Sequence, residues 1–120
     1  MAWGSKTTIM DNQSVQGTML YSSYVTLGPG EIAHVQVTGA FPSSAVADLG
    51  IYVYGTLDAS SETSDTDAMM MMVLPRVSST TRIISFYVGG VYKFRVGCVR
   101  ITATDTITTY VYSRINGVAL

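Results

Sequence analysis

The chain has 120 residues, 12% of them charged, with a formal net charge of −1; that length suits one domain with one hydrophobic core. The charge balance argues against electrostatic capture of nucleic acid or of an anionic membrane surface, and the apolar run at 69–74 falls far short of the ~20 residues of a membrane-spanning helix. One His and one Cys exclude an intrachain disulfide and most zinc patterns.

Residues 1–19 mix small, polar and apolar side chains without a period, Trp3, Ile9, Met10 and Val15 among them. No apolar stretch resembles a secretory signal. This segment is expected to be an arm outside a domain spanning 20–120, either docked on a neighbouring molecule or frayed as termini often are. From Leu20 the sequence reads as strands. Tyr21, Ser23, Val25 and Leu27 share one face. Gly28-Pro29-Gly30 is a turn, and the strand after it alternates cleanly, with Ala33, Val35 and Val37 inward and His34, Gln36 and Thr38 outward. The two segments are expected to form a hairpin.

Residues 40–49 form a connection with at most one helical turn. In the strand at 51–57, Ile51 and Val53 face one way and Tyr52 and Tyr54 the other. Asp58 to Asp67 is a polar, acidic loop, and Met69 to Leu74 is apolar on both faces until Pro75 ends it. Ile84, Phe86 and Val88 then share a face, and Gly89-Gly90 is a two-residue hairpin signal. Phe94, Val96 and Cys98 point inward, but Val99 and Ile101 break the parity, so a bulge near Gly97 or Cys98 is expected. The last strand, 107–114, places Ile107, Thr109 and Val111 inward and Tyr110 and Tyr112 outward. About seven or eight mostly antiparallel strands without a convincing helix give an all-β, single-domain β-sandwich, jelly-roll-like fold.

Catalytic sets are missing. His34 lies mid-strand on a polar face, and no nucleophile elbow or phosphate-cradling glycine loop is present. No enzyme activity, cofactor or metal is therefore expected. Asp65, Asp67 and Glu62 offer hard oxygen ligands, but their spacing is not that of an EF-hand and a solvated loop is the expectation. The methionine run presents two faces. One fills the core, and the other, assigned to Met70 and Met72, is covered by this chain's own arm or by a neighbour. The tyrosine pairs Tyr52/Tyr54 and Tyr110/Tyr112 would pack as cross-strand neighbours, stack on sugars or anchor an interface. Lys93 and Arg95 would meet the acidic loop of an adjacent copy.

The segments LGPGEIAHVQVTG, IYVYGTLDAS and GGVYKFRVGCVRIT resemble small β-sandwich virion proteins of tailed bacteriophages, over roughly residues 20–114. These include capsid decoration (cement) proteins and minor tail or adaptor components. The resemblance implies a non-enzymatic protein made in the host cytoplasm and carried on the virion. Its partners would be its own copies, a trimer being one form, and a major capsid or other virion protein. The expected contacts are Trp3, Ile9, Met10, Tyr52, Tyr54, Met70, Met72, Lys93 and Arg95. A carbohydrate-binding module using a tyrosine face is the alternative.

Overall fold

The computed structural model describes residues 4–42, 48–57, 68–75, 80–101 and 106–116. Their strands are β1 (Thr7–Val15), β2 (Leu20–Tyr21), β3 (Val25–Thr26), β4 (Ile32–Ala40), β5 (Asp48–Thr56), β6 (Met70–Leu74), β7 (Thr81–Val88), β8 (Lys93–Ile101) and β9 (Ile107–Asn116). Two antiparallel sheets face each other. The first has the order β1-β9-β4-β7, and the second β2-β8-β5-β6, with β3 continuing β2 along β8.

The pairing is nested. The first strand pairs with the last, β2/β3 with β8, β4 with β7, and β5 with β6. Counting β2 and β3 as one interrupted strand gives an eight-stranded jelly roll, the double-sheet arrangement of two Greek keys. The sandwich expected from the sequence is therefore present.

Period-two alternation builds the core, because successive side chains on a strand point to opposite faces. Val35, Val37, Ile107 and Val111 from the first sheet lie fully buried beneath Leu49, Ile51, Val53, Phe94 and Val96 from the second. Thr109 shares this layer, and its hydroxyl donates to the Ile107 carbonyl at 3.2 Å, so burial leaves no orphaned donor.

Several expectations are corrected. Residues 7–15 are not an arm: they form β1, paired with β9 from Thr7↔Ser113 to Val15↔Ile107. Register shifts between Thr8 and Met10 and between Met10 and Gln13 turn the neighbouring residues Ile9 and Met10 both into the core. That double burial hides the strand from a period-two reading. The Gly28–Gly30 turn is closed by the Glu31 amide donating to the Gly28 carbonyl at 3.1 Å. It joins β3 in one sheet to β4 in the other, so it is a crossover and not a hairpin.

Gly89-Gly90 is likewise a crossover, from β7 to β8, with Gly90 at φ 75°. The β8 bulge is absent, since its pairing with β5 runs unbroken from Thr56↔Lys93 to Asp48↔Ile101. Val99 and Ile101 keep their parity on the outer face, where Ile101 leans over Gly50. Tyr21 also lies on that face, apart from the buried Val25 and Leu27. Between Tyr21↔Gly97 and Val25↔Phe94, β2/β3 advances four residues while β8 advances three, and this irregularity reverses the phase.

Candidate functional site

Three surfaces carry chemistry beyond the core. The outer face of the second sheet is a tyrosine–cation cluster. Tyr52 and Tyr54 stack with centroids 6.4 Å apart, and Tyr21 meets Tyr54 edge-on at 5.8 Å. The Arg95 guanidinium lies 3.9 Å from the Tyr21 ring centre and 5.1 Å from that of Tyr24, and Lys93 Nζ lies 4.7 Å over Tyr24. Such contacts hold a cation on a ring face through the ring quadrupole. Gly97 is essential to this packing: a Cβ there would sit 2.8 Å from Met19 Sδ and 3.2 Å from Tyr54 Cε2. The missing side chain leaves a slot that Met19 and Tyr54 fill. Tyr54 is consequently only 2% exposed. Lys93 and Arg95, expected to reach another copy's acidic loop, lie among this chain's own rings, and the loop itself falls outside the described residues.

The second surface is the side of the sandwich where β6 and β7 form neighbouring sheet edges. The methionine run has the reverse parity of the one expected. Met70 and Met72 pack against the core, while Met71 and Val73 face outward, Met71 being 64% exposed; Met69, just before β6, lies over Gly55 beside Val91. Four identical residues contain no pattern from which to read their phase. On the opposite outer face, β7 exposes Ile83 at 60% and Tyr87 at 61%. The other side differs. There β1 is broken by two register shifts, has Asn12 at φ 49° and exposes Asp11, Asn12, Gln13 and Ser14, while β2/β3 is interrupted. Bulges, polar side chains and short strands are the devices by which proteins blunt edges against pairing. The β6/β7 side has none of the bulges, since β7 pairs continuously with β4 and β6 with β5.

The third surface is the outer face of the first sheet. Cross-strand register aligns Arg114 with His34 and His34 with Tyr87, and in the adjoining row Tyr112 with Gln36. A hollow of about 190 Å³ is lined there by Lys6, His34, Gln36, Tyr112, Ser113 and Arg114. Lys6 Nζ lies 4.4 Å over the Tyr112 ring, His34 stacks on Tyr87 at 4.9 Å, and Tyr110 stacks on Tyr112 at 6.2 Å. The Tyr110 hydroxyl is 3.2 Å from Asn12 Oδ1. Sequence reasoning placed Tyr110, Tyr112, His34 and Gln36 outward but missed Lys6 and Arg114, which only the β1–β9–β4 pairing brings to them.

Of the residues expected at an interface, Ile9 and Met10 are 7% and 4% exposed and lie inside the subunit. That expectation is corrected for them, for Tyr54 and for the core-facing Met70 and Met72. Tyr52 is half-buried beside Tyr54, and Trp3 falls outside the described residues. Among the described residues no group of three His, Cys, Asp or Glu side chains is arranged to hold a metal ion, and no helix is long and apolar enough to cross a membrane. Cys98 is wholly buried, and burial pushes its thiol up to about 12, the reverse of the shift that makes a cysteine nucleophilic. No protein-family model matches the chain, and no curated protein matches it.

Proposed function

We propose that this protein is a non-enzymatic structural subunit that works by assembly, most specifically a capsid cement or decoration subunit of a tailed-phage virion. The observation that carries the reading is the asymmetry of the sandwich edges. The β1 and β2/β3 edges are blunted, whereas β6 and β7 are continuous and carry Met71, Val73, Ile83 and Tyr87 outward. Exposed apolar edge strands invite added strands or close-packed neighbours, and such residues are common where an interface removes them from water.

The jelly roll is compatible with this reading, since viral capsid domains use it, but so do lectins and cupins. The phage assignment rests on the sequence resemblance over residues 20–114. A tail or adaptor position follows from the same resemblance.

Light scattering coupled to size-exclusion chromatography tests the assembly. The full chain is expected to elute at a multiple of 12.9 kDa. Met71→Lys combined with Ile83→Lys should give the monomer with an unchanged circular dichroism spectrum. A monomeric wild-type chain, or an oligomer indifferent to the paired substitution, overturns the edge assignment. Immunogold labelling of the phage particle checks the narrower reading: label on the head supports it, and label on the tail or nowhere overturns the decoration role.

A further inference from the structure

The hollow on the outer face of the first sheet has no β6 or β7 residue in its lining, although His34 stacks on Tyr87 of β7 at 4.9 Å; its chemistry is independent of the assembly reading. Its chemistry is one-sided. Lys6 and Arg114 are exposed cations at its rim, and among the described residues its lining includes no carboxylate. A concave site of one charge sign concentrates counter-ions of the opposite sign. Arg presents a planar fork that matches a carboxylate in bidentate fashion, and Lys adds a point charge with rotatable donors.

The remaining lining supplies a different kind of contact. Tyr112 and His34 are half-buried rings, and Gln36 offers both an amide donor and a carbonyl acceptor. Rings that pack on C–H surface beside groups that bond hydroxyls suit a ligand that is apolar on one face and polar at its edges. At about 190 Å³ the hollow is smaller than the roughly 300 Å³ at which pockets for drug-sized ligands begin. It has room for one small ring with its substituents.

We propose that this hollow binds a single acidic sugar residue. The carboxylate lies between Lys6 and Arg114, the ring packs beside Tyr112, and Gln36 and His34 bond the hydroxyls. Three strands position these groups: β9 supplies Tyr112 and Arg114, β4 supplies His34 and Gln36, and the segment entering β1 supplies Lys6. The Gly4 amide donates to the Ile115 carbonyl at 2.8 Å, tying that entering segment to β9. Lys6 is thereby held near the site by main-chain pairing on both sides.

Heteronuclear NMR titration of the full chain tests the proposal, with sodium glucuronate, glucose and sodium phosphate as probes. Glucuronate is expected to shift the amides of residues 34–36 and 112–114 saturably. Glucose should bind at least about tenfold more weakly, and Lys6→Gln or Arg114→Gln should each weaken glucuronate about tenfold, the loss expected for one charge-assisted contact. Both side chains are exposed, so the rest of the spectrum should stay in place. Glucose matching glucuronate overturns the role of the charges. Phosphate reproducing the same shifts at the same concentration overturns the sugar and leaves an adventitious anion only. An absence of shifts at these amides overturns the site. The Met71→Lys, Ile83→Lys monomer should bind as the wild type does, which separates failure here from failure of the assembly reading.

Discussion

Ser22 occupies the break between β2 and β3, where an amide of β8 would lose its main-chain acceptor. Its hydroxyl oxygen accepts from the Val96 amide at 2.9 Å and its hydroxyl donates to the Ser23 carbonyl at 2.9 Å, while its own amide donates to the Val96 carbonyl at 2.8 Å. A buried donor left without a partner costs about 1–3 kcal/mol. Ser22→Ala should lower the unfolding free energy by about that amount in urea titration and speed hydrogen exchange at the Val96 amide. Cys98 gives a second prediction. Its thiol ionises near 9.0 when unfolded but only near 12 in the fold. Above pH 9 the unfolded chain therefore releases a proton that the folded chain retains. Stability from this group is fully present below pH 9 and falls by about 1.4 kcal/mol per unit above it. Cys98→Ala should flatten that alkaline slope while lowering stability at neutral pH, and in the wild type iodoacetamide should label only denatured protein.

Among the elements, β1 decides whether the N-terminal segment is dispensable. Ile9, Met10 and Val15 contribute buried side chains to the core, and the Ser23 amide donates to the Ile9 carbonyl at 2.9 Å, tying the two sheets together along one side. Deleting residues 1–15 should abolish the cooperative thermal transition, because three core side chains go and β9 becomes a bare edge. A docked arm would behave oppositely, leaving a stable sandwich that merely fails to assemble. The alternation of β4, β5, β7, β8 and β9 was legible in the sequence because a strand's side-chain period is local: Ala33, Val35 and Val37, or Ile107, Thr109 and Val111, state their own phase. The phase of β1 was not, because its bulge sets two core residues side by side, and that of β6 was not, because Met follows Met. Half of the sugar-sized hollow could be read from the outward residues of β4 and β9. Lys6 joins it through a pairing that spans nearly the whole chain.

At the scale of the molecule, glycine-rich turns proved ambiguous. Gly28-Pro29-Gly30 and Gly89-Gly90 have the composition of hairpin loops, yet each carries the chain from one sheet to the other. Local composition specifies that the chain bends, and the competition for burying both sheet faces specifies where it goes next. Strand class was therefore legible and strand partnership was not. The nested pairing also sets an order of events during synthesis. Among the described strands only β5 and β6 are partners close in sequence; β4 waits for β7 and β9, and β1 waits for β9. At about 5–20 residues per second on the ribosome, the first sheet stays without its central strand β9 for several seconds after β4 has been made. During that interval Ile9, Met10, Val35 and Val37 have no permanent cover. Copies made side by side would pass through that interval with the same core side chains bare, the condition in which unfinished chains associate wrongly.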